Sequence, residues 1–78
     1  SNPDRLKILC VLVEGELNVQ KIEESTDIHQ PTLSQQLTVL RKNNMVSTRR
    51  EGKQIFYQVS DPRILTIMQT LHQLYCAA

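Results

Sequence analysis

Residues 30–42 read QPTLSQQLTVLRK and predict a helix with one buried face and one polar face. Leu33, Leu37 and Leu40 recur at i, i+4 and i+7, the spacing of side chains on one helical face. Uncharged groups that donate and accept hydrogen bonds fill the other face: Gln30, Thr32, Ser34, Gln35, Gln36 and Thr38. A helix in the DNA major groove needs such groups, because it must meet base edges beside the phosphates. We interpret the segment as a recognition helix; the alternative is an ordinary polar amphipathic helix.

The length and composition indicate one small globular domain. A chain of 78 residues has room for a single domain, and its 40% apolar content is typical of a folded protein. No apolar run approaches the roughly 18 residues that span a membrane, and no signal peptide is visible at the start. We therefore expect a cytoplasmic protein with no membrane partner. Because so small a core is marginal alone, dimerisation is a natural remedy.

Positive charge is concentrated in one part of the chain. The net charge is only +1. Residues 41–54 nevertheless hold five basic side chains and one acidic one, a net charge of +4, whereas the rest of the chain has a net charge of −3. A local basic patch on an acidic body is typical of a surface that contacts phosphates. The alternative is a solvated charged loop.

A first helix is predicted to precede this segment. Asn2 can cap it, Pro3 suits its first position, and Asp4 suits the positive end of the helix dipole. The following RLKILCVLV is apolar on most sides, so this helix is expected to be the central element of the core. Gly15 is expected to end it in a left-handed cap.

A helix-turn-helix is predicted next. Asn18 can cap a short second helix, VQKIEEST, and residues 25–29 form a turn. Gln30 starts the third helix, with Pro31 in its first turn, and the helix ends at residues 43–44, where two asparagines suit a left-handed cap. Helix, short turn and helix together make the helix-turn-helix arrangement.

A change to a period of two residues then predicts a β-hairpin. Apolar and polar side chains alternate in residues 46–50 and again in 55–59, on either side of a turn that contains Gly52. Such a hairpin must pack against the helices, as the wing of a winged helix does. Arg49, Arg50 and Lys53 are expected at its tip, where they could reach a phosphate backbone.

A last helix follows the hairpin. Asp61 and Pro62 repeat the pattern of a cap followed by proline. The helix then carries a broad apolar stripe: Ile64, Leu65, Ile67, Met68, Leu71, Leu74 and Tyr75. Because the stripe is wider than one small core needs, part of it is expected to face a second copy of the chain. The alternative is a helix that only closes the monomer core. The predicted fold is thus mainly α with a small β-hairpin, dimeric through the C-terminal helix.

Almost the whole chain resembles the ArsR family of bacterial winged-helix repressors. The resemblance is carried by NPDRLKILCVL at 2–12, HQPTLSQQLTVLRKNNMV at 29–46 and RREGKQIFYQV at 49–59. It implies a homodimer that binds operator DNA and releases it when an inducer binds. Many members have a further N-terminal helix in the dimer interface, and no counterpart of it is seen in this sequence.

The resemblance also assigns residues to the DNA-binding surface. The recognition-helix positions that contact bases and backbone in the family are matched by Gln30, Thr32, Ser34, Gln35 and Thr38, and the wing positions by Arg49, Arg50 and Lys53. His29 is a departure, because the family commonly has a capping serine there.

The metal sites of the family have no complete match here. One family site uses a Cys-Val-Cys run before the helix-turn-helix, where this chain has NVQ at 18–20. Amides are poor ligands for soft metals. The other site uses an Asp and at least two His along the last helix. Asp61 matches, but Arg63 and Leu74 stand at positions that would need ligands. We therefore predict no metal site and no cofactor.

The resemblance instead implies a sulfur-based switch. Cys10 and Cys76 lie in the first and last helices, 66 residues apart, and this spacing does not establish their proximity. Cysteines at these places are typical of the BigR/SqrR/HlyU-like branch, which responds to reactive sulfur species or oxidants by linking the two sulfurs. Such chemistry needs one thiolate that attacks and another that resolves. His72, four residues before Cys76, could favour the thiolate, or it is simply a surface histidine. Taken alone, Cys10 could be a small core side chain.

Three functions remain open at this stage. The first is a dimeric repressor that is switched by oxidation or persulfide-driven linkage of Cys10 and Cys76. The second is an ArsR-like DNA-binding regulator with another inducer, such as a metal at a non-standard site, or with none. The third is a winged-helix domain used for protein–protein contact. An enzyme is not expected, because the sequence has no Gly-rich phosphate loop and no Ser/His/Asp constellation.

Overall fold

The computed structural model describes residues 3–71 and residue 73 of the chain. Four α-helices and three β-strands follow one another as α1 (Pro3–Leu12), β1 (Leu17–Asn18), α2 (Val19–Thr26), α3 (Thr32–Lys42), β2 (Val46–Glu51), β3 (Gln54–Val59) and α4 (Pro62–Leu71). This is a winged helix-turn-helix, mainly α with a small sheet, so the predicted fold of the chain is confirmed; the dimer through the last helix stays a prediction. The predicted cap Asn2 and the stripe residues Leu74 and Tyr75 lie outside the described residues.

The wing is a three-stranded antiparallel sheet rather than a hairpin alone. The strand order is β1-β3-β2, and Leu17 and Asn18 of β1 pair with Tyr57 and Phe56 of β3. Strand β1 was not predicted, because it is only two residues long and shows no alternation of its own. Its pairing anchors the base of the hairpin to the segment that follows α1.

The core lies between α1, the helix-turn-helix and α4. Its buried apolar members are Ile8, Leu9, Cys10, Leu12, Ile22, Ile28, Leu33, Leu37, Leu40, Val46 and Met68. Helix α1 supplies four of them and contacts α2, α3, β3 and α4, as expected of a central element. All three leucines predicted for the inner face of the third helix are buried, so that prediction is confirmed.

The helix ends agree with the sequence except at two places. Asn18 caps α2 as predicted, since its Oδ1 accepts a hydrogen bond of 2.8 Å from the Lys21 backbone N–H. Asn44 adopts the predicted left-handed conformation with φ of 58°. Gly15 has φ of 149°, which is a positive value but not that of a left-handed helical cap. Helix α3 begins at Thr32, two residues later than predicted, with Pro31 at its N-cap position; Gln30 stays in the turn, and its side chain accepts a hydrogen bond from the Ser34 backbone N–H.

The turn of the helix-turn-helix is held by one buried hydroxyl. Thr26 is 1% exposed, and its Oγ1 donates to the Ile22 carbonyl at 2.7 Å and accepts from the Ile28 backbone N–H at 3.2 Å. We expect Thr26→Val to destabilise the domain by about 1–3 kcal/mol, because the Ile28 N–H would be buried without a partner. Chemical denaturation measures this loss. Thr26→Ser, which keeps the hydroxyl, should cost clearly less, and equal stability of Thr26→Val and the parent would contradict the assignment.

Candidate nucleic-acid interface

The polar face of α3 points away from the core. The five recognition-helix residues assigned to DNA are all exposed: Gln30, Thr32, Ser34, Gln35 and Thr38. The leucine stripe of the same helix is buried on its other side. Gln36 lies between the two faces, half-buried, and its Oε1 accepts a hydrogen bond of 3.0 Å from Arg5 Nε of α1. Helix α3 is therefore fixed on the body with its neutral polar side chains facing outward.

Some of these side chains already bond within the helix. Gln30 Oε1 accepts from the Ser34 backbone N–H at 3.0 Å and from Ser34 Oγ at 2.6 Å. Thr38 Oγ1 donates to the Ser34 carbonyl at 2.8 Å. Within the described residues, the side chains of Thr32 and Gln35 make no hydrogen bond. The full hydrogen-bonding capacity of these two groups is thus available to a ligand of α3.

Positive side chains flank the polar face. Arg41 and Lys42 are exposed in the last turn of α3, and Arg50 and Lys53 are exposed in the wing. In the part of the chain that the structure describes, none of these four is in an ion pair. Arg41 and Lys42 belong to the basic segment 41–54 but were not predicted as DNA contacts. Their position at the end of this helix, three and four residues beyond Thr38, was the signal that could have identified them.

Arg49 differs from the other basic residues of the wing. Its Nε donates to both carboxylate oxygens of Glu16, at 2.9 and 2.8 Å, and its Nη2 contacts Glu16 Oε1. Its Nη1 lies 3.4 Å from Glu51 Oε2, and its Cζ lies 4.6 Å from the centre of the Phe56 ring. The hydrogen bonds from Arg49 lower the pKa of the Glu16 carboxyl. We call this interaction the Glu16–Arg49 clasp.

His29 lies in the turn before α3, between two carboxylates. Its Nδ1 is 3.1 Å from Glu23 Oε2, and its Nε2 is 2.9 Å from Asp27 Oδ1. The pKa of His29 is raised above its usual value of 6.5, mainly by the hydrogen bond with Glu23 and also by that with Asp27. A protonated His29 therefore joins the end of α2 to the turn that leads into α3.

The raised pKa of His29 predicts a pH dependence of stability. A raised folded-state pKa means that the stabilisation is fully present below pH 6.5 and is lost as the pH rises through the folded-state value. We expect the imidazole resonances of His29 to titrate above pH 6.5 in NMR spectra. In His29→Gln, the melting temperature should fall less between pH 6.5 and the folded-state pKa of His29 than it does in the parent. Titration of His29 at or below 6.5 would contradict the bridge.

The described part of the sulfur site is Cys10 and its surroundings. Cys10 is 8% exposed in α1 and packs in the core. It lines a cavity of about 380 Å³ together with Val11, Glu14, Gly15, Glu16, Leu17 and Ser25. The structure records Cys10 in a disulfide. Cys76 and His72, the other members of the predicted switch, lie outside the described residues.

Two further findings concern other kinds of site. Among residues 3–71 and 73, no three His, Cys, Asp or Glu side chains are grouped so that they could hold a metal ion. None of the helices in the same part of the chain is both long and apolar enough to cross a membrane.

Comparison with known proteins finds similar chains among transcriptional regulators. The chain is 46% identical over 77 residues to the biofilm growth-associated repressor of Agrobacterium fabrum, covering 99% of this chain and 66% of that protein. It superposes on the crystal structure of the transcriptional repressor BigR from Xylella fastidiosa with a TM-score of 0.89, at 47% identity, covering 99% of this chain and 76% of that one. The transcriptional activator HlyU of Vibrio cholerae is 38% identical over 78 residues, which are 100% of this chain and 72% of that protein. The structure of reduced HlyU superposes with a TM-score of 0.89, at 39% identity, covering 96% of this chain and 79% of that one.

The chain spans about two thirds of the length of these curated relatives. The relatives are transcriptional regulators and not enzymes, which confirms the prediction that the chain is not an enzyme. Residues 2–48 match the description "bacterial regulatory protein, arsR family". The chain therefore belongs to the ArsR family of bacterial regulatory proteins.

Proposed function

We propose that this chain is the DNA-binding domain of a transcriptional repressor and that α3 enters the major groove of operator DNA. The observation that carries the proposal is the exposed, uncharged, hydrogen-bonding face of α3 opposite a fully buried leucine stripe. Neutral donors and acceptors on an exposed helix suit base edges, and the flanking Arg41, Lys42, Arg50 and Lys53 suit phosphates. BigR is named a repressor and HlyU an activator, and the resemblance to BigR favours repression.

The proposed assembly is a homodimer. Helix α4 contacts α1, and each helix exposes a large apolar side chain: Ile67 is 59% exposed and Leu6 is 40% exposed. Ile64, Leu65 and Leu71 of α4 are only half-buried. A second copy would cover this surface and would place two α3 helices on successive major grooves, about 34 Å apart.

Fluorescence anisotropy with operator DNA tests the DNA-binding proposal. We expect affinity to fall steeply with salt, since each phosphate contact contributes about −0.9 to the slope of log K against log salt. Analytical ultracentrifugation should show a dimer on the DNA. Affinity that does not depend on salt would favour a domain that binds another protein.

We further propose that linkage of Cys10 and Cys76 switches the repressor. In this reaction, the two thiols lose two protons and two electrons to a polysulfide or another oxidant, which is reduced as the sulfurs become linked. The position of Cys10 in α1 supports the proposal, because α1 contacts both α3 and α4. A link at Cys10 would thus act on the helix between the recognition helix and the dimer surface.

We expect operator affinity to differ between the reduced and the polysulfide-treated protein, and Cys10→Ser to remove this difference. Anisotropy measures the affinity, and mass spectrometry measures any Cys10–Cys76 link. The double variant Cys10→Ser, Ser25→Cys is a matched control, because it keeps a thiol at the same cavity but not at position 10, and it should not respond either. Equal affinity in both states of the parent would exclude the switch and would favour a regulator with another inducer or none.

A further inference from the structure

The two adjacent arginines of the wing project to opposite faces of the sheet. Successive side chains of a strand alternate between the faces. Arg50 lies opposite Ile55, on the face that Val46 buries in the core, whereas Arg49 lies opposite Phe56 on the other face. The two arginines are therefore poorly placed to share one phosphate-contacting surface.

The guanidinium group of Arg49 also has partners within the protein already. Glu16 accepts hydrogen bonds from Nε and Nη2, Glu51 lies beside Nη1, and Cζ lies over the Phe56 ring. Glu16 thus occupies the Nε and Nη2 side of the guanidinium group, one of the two edges through which arginine binds phosphate in a bidentate manner. Arg50 and Lys53, in contrast, have no such partner within the described residues.

The clasp joins parts of the chain that are far apart in sequence. Glu16 follows α1 and precedes β1, and Arg49 lies 33 residues later in β2. Because β3 lies between β1 and β2, the clasp reaches across the whole sheet. A two-stranded hairpin is marginally stable alone, so a bond of this kind restrains the wing at its outer strand.

We propose that Glu16 is a positioning residue of the DNA-binding surface, which holds the wing on the body through Arg49, and that Arg49 does not contact phosphate. The inference rests on the proposed DNA-binding function. It assigns the phosphate contacts of the wing to Arg50 and Lys53. It also gives Glu16, which was not singled out in the sequence, a role in operator affinity.

Operator affinities of Glu16→Ala, Arg49→Gln and the double variant test the proposal. We expect each single variant to weaken binding roughly twofold to fivefold, as suits a partly exposed pair. The double variant should bind the operator no less tightly than the single variant with the lower affinity, because both substitutions remove the same interaction. Glu14→Ala removes the same charge from the same segment and controls for the general effect of charge on DNA affinity.

The sign and salt dependence of these effects separate the two roles of Arg49. If Arg49 positions the wing, both single variants keep the salt slope of the parent, whereas Arg50→Gln flattens it by about 0.9. If Glu16→Ala tightens binding more than Glu14→Ala does, or if Arg49→Gln flattens the slope by about 0.9, the proposal is overturned.

NMR of the arginine Nε–H groups gives an independent result. We expect the Arg49 Nε–H resonance to keep its position when operator DNA is added and to shift in Glu16→Ala. If the parent binds DNA as expected but its Arg49 Nε–H resonance shifts on binding, the inference about Arg49 is overturned and the proposed function is not. If the parent does not bind DNA with salt-dependent affinity, the proposed function fails and the inference fails with it.

Discussion

Replacing Leu33 by alanine is expected to destabilise the domain by about 2–5 kcal/mol. Leu33 is fully buried near the start of α3, within the stripe that attaches this helix to α1. The cost combines the lost burial of the side chain with the cavity that remains. Because small domains have a free energy of unfolding of only about 5–15 kcal/mol, this one substitution removes a large share of it.

Urea denaturation followed by circular dichroism measures the effect. Gln35→Ala is the matched control, since Gln35 is exposed in the same helix and its loss should change stability by less than about 0.5 kcal/mol. If Leu33→Ala and Gln35→Ala were equally stable, the orientation assigned to α3 would be wrong.

Gln35→Ala is expected instead to weaken operator recognition by about 1–3 kcal/mol, a loss concentrated at one base pair. The Gln35 amide is exposed and unbonded within the described residues, and a primary amide pairs with the N6 and N7 edge of adenine. Gln30 is less suited to this role, because its Oε1 already accepts two hydrogen bonds from Ser34.

Affinities for the operator and for its single-base-pair variants measure this prediction. The parent should discriminate strongly at one A·T pair, and Gln35→Ala should bind all four pairs at that position about equally. Lys53→Ala is the contrasting control, because loss of a phosphate contact weakens binding to every sequence and flattens the salt slope. Unchanged discrimination in Gln35→Ala would assign base recognition to other residues of α3.

The features that the sequence predicted are those that local chemistry determines. Burial of one helical face requires the spacing of Leu33, Leu37 and Leu40, and all three are buried. Asn18 was predicted as a cap because a short side chain with an acceptor can reach the backbone N–H three residues later, and it does so. The turn at Gly52 was predicted from the switch to alternating side chains on either side of it, and it joins β2 to β3.

The features that the sequence missed depend on contacts between distant residues. A two-residue strand such as β1 has no periodicity of its own and forms because Leu17 and Asn18 meet β3. The partner of Arg49 lies 33 residues away, so the sequence placed Arg49 with Arg50 and Lys53 at the wing. The start of α3 was misplaced because no usual capping residue marks it: Pro31 is at the N-cap position, and Gln30 lies in the turn before it.

Asn18 joins the two halves of the proposed DNA-binding surface through a single side-chain amide. Its Oδ1 holds the first turn of α2, while its Nδ2 donates to Gln54 Oε1 at 2.8 Å, at the beginning of β3. Because the amide is planar and rigid, fraying of α2 at this end tilts the group away from the hairpin, and lifting of the hairpin pulls it from the helix. We therefore expect the Asn18 side chain to couple local opening of the helix-turn-helix to that of the wing, and Asn18→Ala to let the two exchange more independently in hydrogen exchange.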